Sequence, residues 1–400
     1  MRVVLYTGKG GVGKTTTAAA SAVWAASRGL RVLVASADAA HSLGDVLEEP
    51  LGDEPRQLEL KDGGRFSGTL FAVEVDARAE VSRHWGAVSD YLGQLFRHQG
   101  IEEVMADELA LLPGLEELTT LLAVDAWARE GAYDLVVVDC APTDSALRLL
   151  TLPEAAHSAL RILLKLQRAI AGLVTPLARN LVAVPLPGSE VFRDAEGLIY
   201  RQLGKLSELI SDPGTSVRLV LTPERMVIDE SLRARTDLAL FGVAVDAVVM
   251  NRLLPEEAAA EPFFAEWVRQ QAARRDEVAE FFAPLPILAA PLQDDEVVGL
   301  ARLQAHGRIL FRDHAPEALL SSEPGLEFRR EGSGYALRLP LPNARAEELD
   351  VTRVGAQLMV RTGALRRPIP LPRHLLGMDV SGARCRDGIL EVRFQPSETA

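Results

Sequence analysis

Eight residues near the start of the chain, Gly8-Lys9-Gly10-Gly11-Val12-Gly13-Lys14-Thr15, crowd glycines, two lysines and a hydroxyl between a β-branched run and a helical one. They satisfy the spacing G-x-x-x-x-G-K-S/T in the strand-then-helix setting that makes it meaningful. Without Cβ atoms the glycines let the loop wrap so that its N–H groups, with the helix N-terminus behind them, aim at phosphate oxygens. Lys14 then reaches the β- and γ-phosphates of a nucleotide, Thr15 offers its hydroxyl directly to Mg²⁺, and Thr16 completes the binding loop. Asp139 closes the apolar run Leu135 to Asp139, a carboxylate at a strand end that would hold a Mg²⁺-bound water.

These groups need a scaffold that brings strand ends together. Short β-branched runs recur at Arg2 to Tyr6, Arg31 to Ser36, Leu135 to Asp139, Val217 to Leu221, Ala247 to Asn251 and Pro286 to Ala289. Helical periodicity fills Thr15 to Arg28, Glu116 to Glu130 and Glu230 to Phe241, and the alternation predicts an α/β fold with a doubly wound, mainly parallel sheet. Ligands of such sheets sit beyond the carboxyl ends of the strands. The pattern changes in a Pro- and Ser-containing stretch at 313–324, a linker. From 325 to 396 short alternating strands, including Tyr335 to Leu339, Gln357 to Arg361 and Gly388 to Phe394, predict a small all-β sandwich. The domains expected are therefore 1–312, with a helical region at about 80–215, and 325–396.

The 400 residues carry a formal net charge of -13, which argues against a general nucleic-acid binder. Two cysteines, Cys140 and Cys385, lie far apart without a C-x-x-C pair, so neither a disulfide framework nor a thiolate zinc site is expected. The first residues are too short an apolar run for an export signal. No apolar stretch reaches the roughly 20 residues needed to span a bilayer, and a cytoplasmic location is expected.

Lys9 gives the loop the form K-G-G-V-G-K-T, which resembles the deviant P-loop of the SIMIBI class of dimeric nucleotide switches. The resemblance implies that Lys9 crosses to the phosphates of a second copy and stabilises charge there, as an arginine finger does. Asp38-Ala39-Ala40-His41-Ser42-Leu43-Gly44-Asp45 resembles switch I of the ArsA and GET-pathway ATPases, with Ala39 in place of proline. By that resemblance Asp38 orients or deprotonates the attacking water and touches Mg²⁺ through water. Asp139-Cys140-Ala141-Pro142-Thr143-Asp144-Ser145-Ala146-Leu147-Arg148 resembles switch II of the same family, departing from it at Cys140, Asp144 and Ser145. Three further segments match: Leu221 to Glu230, Val249 to Pro255, and Ala290 to Leu292 leading on to Leu300. They imply that Asn251 reads adenine, that Pro291 and Leu292 line the base, and that Glu224 touches nucleotide near a dimer interface. A strand-terminal amide can offer both a donor and an acceptor to an adenine edge.

The segments Tyr335 to Pro342, Leu358 to Arg361, Arg367 to Pro372 and Cys385 to Arg393 resemble the α-crystallin domain of small heat-shock proteins. The combined resemblance implies a Mg²⁺-dependent, ATP-hydrolysing homodimer that captures, releases or targets hydrophobic client proteins or transmembrane segments, with a membrane receptor as a further partner. A helical face bearing Leu160, Leu163, Leu164, Ile170, Leu173, Val174, Leu177 and Leu181 is the candidate client surface, although an amphipathic stripe more often means a face buried in its own subunit. Two alternatives stand beside the targeting reading: the catalytic subunit of an arsenite or anion pump, and a passive chaperone or scaffold.

Overall fold

A computed structural model describes residues 1–37, 42–59, 66–75, 115–140, 204–312, 314–322, 325–363 and 365–396. The amino-terminal part is built on strands β1 (Arg2–Thr7), β2 (Arg31–Ser36), β3 (Arg56–Leu58), β4 (Thr69–Glu74), β5 (Leu135–Asp139), β6 (Thr215–Leu221), β7 (Val245–Leu253) and β8 (Ile287–Pro291). They form one sheet in the order β3-β4-β2-β5-β1-β6-β7-β8. Every pairing in it is parallel except β3 with β4. All residues of β1, β5 and β6 are buried, as expected where apolar runs are covered on both faces.

Among the described residues the helices that bear on the site are α1 (Lys14–Ser27), α2 (Leu43–Leu47), α3 (Leu115–Arg129), α4 (Arg225–Leu240), α5 (Pro262–Phe281) and α6 (Leu300–Phe311), and residues 204–211 are also helical. Alanines in α1 let it approach its neighbours closely. A Cβ added at Gly307 of α6 would lie 2.4 Å from the carbonyl oxygen of Ala20, so only glycine lets the two helices meet there. The expected strands and α1, α3 and α4 are present with ends moved by a few residues, whereas β3, β4, α2, α5 and α6 were not anticipated. α5 buries only Gln271 and Val278, so it has no apolar stripe for periodicity to reveal.

Beyond α6 come two antiparallel sheets. One has the order β14-β15-β10-β9 and the other β11-β12-β13. The strands are β9 (Glu327–Glu331), β10 (Gly334–Pro340), β11 (Leu349–Val354), β12 (Gln357–Thr362), β13 (Leu365–Pro370), β14 (Met378–Arg386) and β15 (Ile389–Pro396). Their inner faces supply Leu337, Leu339, Leu358, Val360, Ile369, Leu390, Val392 and Phe394 to a common core. That core also takes in Leu240 from the end of α4, and Phe241 packs against both this core and that of the large sheet.

The stretch read as a linker is anchored. Fully buried Arg218 of β6 donates to the carbonyls of Pro316 and Ala318 at 2.9 and 3.0 Å. Asp246 of β7 accepts from the Leu320 N–H at 3.2 Å and pairs with both Arg218 and Arg2.

Candidate nucleotide site

The phosphate loop leaves β1 at the carboxyl edge of the sheet, where the crossover from β1 to α1 requires a tight turn. Gly8 passes so close to β6 that a Cβ would sit 2.1 Å from the Val220 carbonyl oxygen. Gly11 and Gly13 have φ of 81° and 91°, in the left-handed region that favours glycine. A Cβ on Gly13 would also lie 2.4 Å from Asn251 Nδ2. Gly10 and Gly11 are exposed at the loop's crest. The bare backbone that a phosphate needs is thus present, and the residues fit a nucleotide phosphate chain.

Lys14, at the first position of α1, is buried, and its Nζ reaches back across the loop toward the carbonyl of Lys9 at 3.4 Å. The buried backbone of Val12 is held by Asn251, whose Nδ2 donates to the Val12 carbonyl at 2.9 Å. Thr17 Oγ1 donates to the Gly13 carbonyl at 2.7 Å and fixes the loop from the helix side. The Thr15 and Ser42 hydroxyls are 3.2 Å apart, which brings the start of α2 to the loop. Thr16 is half-buried beside them.

Asp139 is fully buried at the end of β5, between β1 and β2, and its carbonyl accepts from the Ala37 N–H at 2.8 Å. Strand order therefore places the loop, Asp139 and the end of β2 side by side. Asp38, the next residue after Ala37, lies outside the described residues, as do His41, Asp144, Ser145 and the client face at 160–181.

The base-side residues are arranged less simply. Asn251 commits one N–H to Val12 and its carbonyl oxygen to the Arg252 N–H at 2.9 Å, which leaves one N–H and one lone pair for an adenine edge. Its visible task is to hold the phosphate loop. Arg252 has φ of 56°, where β7 and β8 slip register between Met250 and Leu253. Pro291 ends β8. Leu292, bonded through its N–H to the Leu253 carbonyl at 2.7 Å, is 48% exposed, a free apolar surface at the strand ends. Glu224 caps the start of α4 in extended backbone, with its side chain exposed and bonded to the Thr222 hydroxyl at 3.4 Å.

Lys9 is half-exposed and its Nζ lies 3.5 Å from Glu230 Oε2 on α4. In the sequence Ser42 and Glu230 are only members of the matching segments. Ser42 comes to the loop from beyond β2, one strand removed from β1, and Glu230 from the helix after β6, which adjoins β1; one sequence does not disclose that strand order.

A parallel sheet with a glycine-rich phosphate loop between its first strand and first helix, and a carboxylate at the end of the neighbouring strand, defines a P-loop nucleoside triphosphatase. Within that class the chain belongs to the ArsA ATPase family. The anion-transporting ATPase profile covers residues 1–312, and the profile of an HSP20-like domain found in ArsA covers 332–394. Among relatives, a protein of Aquifex aeolicus bearing the name arsenical pump-driving ATPase 1 is 34% identical over 98% of this chain and 99% of its own. A Chlorobaculum tepidum protein bearing the name arsenical pump-driving ATPase is 34% identical over 98% of this chain and 96% of its own. The chain is accordingly an ATPase, and its two cores are those of an ATPase unit and an HSP20-like sandwich. No helix among the described residues is long and apolar enough to cross a membrane.

Proposed function

We propose that the chain is a homodimeric, Mg²⁺-dependent ATPase whose nucleotide state governs capture and release of hydrophobic client protein, tail-anchored membrane proteins among them. The observation that carries this reading is the HSP20-like sandwich sharing its core with α4, the helix that also meets the phosphate loop. A domain related to chaperones is thereby part of the ATPase and not a distant appendage.

Mg²⁺, when bound with ATP, would be held by Thr15, with Asp139 and Asp38 acting through water, and would neutralise charge on the β- and γ-oxygens. The protein's own groups do the rest. The loop N–H groups and Lys14 bind phosphate, Asn251 keeps the loop rigid, Asp38 aligns the water, and Lys9 of one copy serves the nucleotide of the other. The reading is tested by incubating purified protein with a transmembrane segment prone to aggregation in ATP, ADP and no nucleotide. Suppression of aggregation that differs between these states is the expected result; identical turbidity with and without the protein in every state contradicts it.

The relatives' names favour a second reading, the drive subunit of an arsenical pump. Trivalent arsenic seeks converging thiolates. This chain has two cysteines, one buried at the end of β5 and one in β14 of the sandwich, which do not converge within a subunit. ATP turnover that rises severalfold with arsenite would favour the pump reading; turnover indifferent to arsenite supports the client reading.

A further inference from the structure

One helix holds both Lys9 and the sandwich. The first half of α4 carries Glu230, the partner of Lys9. Its last turns carry Thr236, whose hydroxyl donates to the Pro342 carbonyl at 2.5 Å, and Leu240, whose carbonyl accepts from Arg367 and whose side chain is in the sandwich core. Gly242, just beyond, has the Arg367 guanidinium against it. From Glu230 to Thr236 is about 9 Å along a helix axis, a stiff distance over which a tilt at one end moves the other. Arg235 of the same helix also donates to the carbonyls of Phe281 and Ala283, which tie the middle of α4 to the end of α5.

We infer that Glu230 is a positioning residue for Lys9, and that the β-sandwich sets its hold through α4. The inference rests on the reading of Lys9 as the lysine that serves a second copy's phosphates. The carboxylate holds Lys9 over its own subunit, and Lys9 must leave Glu230 to reach across. A half-exposed ion pair is a weak restraint, so it acts as a brake of a few fold and not as a lock. Whatever shifts the sandwich on Thr236 and Leu240 shifts Glu230 and changes that brake. The HSP20-like domain therefore feeds its state back to ATP turnover.

Steady-state ATP turnover of the full chain tests this with Glu230→Gln, Glu230→Asp, Thr236→Val and the double variant Glu230→Gln/Thr236→Val. Glu230→Gln is expected to raise kcat about two- to fivefold with KM for ATP unchanged within about twofold. Glu230→Asp, which keeps the charge, stays near wild type. Thr236→Val raises kcat in the same direction, and the double variant does no more than the larger single change, because both act on one restraint. Should Thr236→Val lower the melting temperature, Arg367→Met replaces it as the docking variant. A kcat for Glu230→Gln at or below wild type overturns the inference, and so does a docking effect that is absent or adds in full. Lys9→Ala separates the two levels: if it turns over ATP as wild type does, the reading of Lys9 itself fails, whereas loss in Lys9→Ala with no gain in Glu230→Gln sinks the brake alone.

Discussion

At the residue scale, the phosphate loop was legible because its chemistry is written in spacing: glycines where a side chain would collide, and a lysine and threonine at the helix start. Gly13 illustrates how strict this is, since its positive φ and the 2.4 Å approach of Asn251 leave no room for a methyl group. Gly13→Ala is expected to abolish measurable binding of a fluorescent ATP analogue while circular dichroism stays native. The roles of Ser42 and Glu230 were not legible, because each depends on which strand lies beside which. A second residue-scale feature is hidden for the same reason. His306 on α6 is 4% exposed, and neither ring nitrogen has a hydrogen-bond partner among the described residues. Burial pushes its pKa below the usual imidazole range. The folded chain keeps it neutral while the unfolded chain takes up a proton below about pH 6.5, so stability is full above that pH and falls as pH drops below it. The loss is at most about 1.4 kcal/mol per pH unit until the folded-state pKa is reached. Urea midpoints at pH 7.5 and 5.5 should therefore converge in His306→Leu relative to wild type; an unchanged gap would assign the acid sensitivity elsewhere.

At the element scale, β1, β2, β5, β6, β7 and β8 announce themselves as apolar runs, which sheets covered on both faces require. α5 does not, since a helix that buries two side chains carries no stripe. Arg218 is the more instructive case. It reads as an intruder in the apolar run of β6, and the structure shows it fully buried, joining Asp246 and the Tyr6 hydroxyl to the carbonyls of Pro316 and Ala318. Tyr6 in turn donates to Ser21, and Ser21 to the Thr17 carbonyl, so polar contacts run from the anchored 316–320 segment into the first helix. Arg218→Met leaves the buried Asp246 carboxylate with Arg2 as its remaining cationic partner. Removing one member of a buried pair costs about 3–5 kcal/mol, and equilibrium urea unfolding should show a loss of that order. A loss below about 1 kcal/mol would mean that the clamp contributes little beyond its volume.

At the scale of the whole molecule, composition and pattern located two units, while their relation came only from the fold. The expected linker proved to be docked, and Leu240 of the ATPase unit completes the core of the sandwich. The two are joined at α4, one helix that reaches both the sandwich core and the phosphate loop. On the proposed reading the chemistry needs two copies of the chain, with Lys9 resting on Glu230 of its own copy and serving the phosphate of the other. That claim is tested most directly by ATP turnover of a mixture of two inactive variants, Lys9→Ala and Asp38→Asn. Each alone should lose about 10³-fold in turnover while binding ATP. Mixed in equal amounts and allowed to exchange, half of the dimers of a two-fold assembly carry one complete site, so turnover should recover to about a quarter of wild type. A mixture no more active than its separate components would contradict service of the nucleotide by Lys9 across two copies.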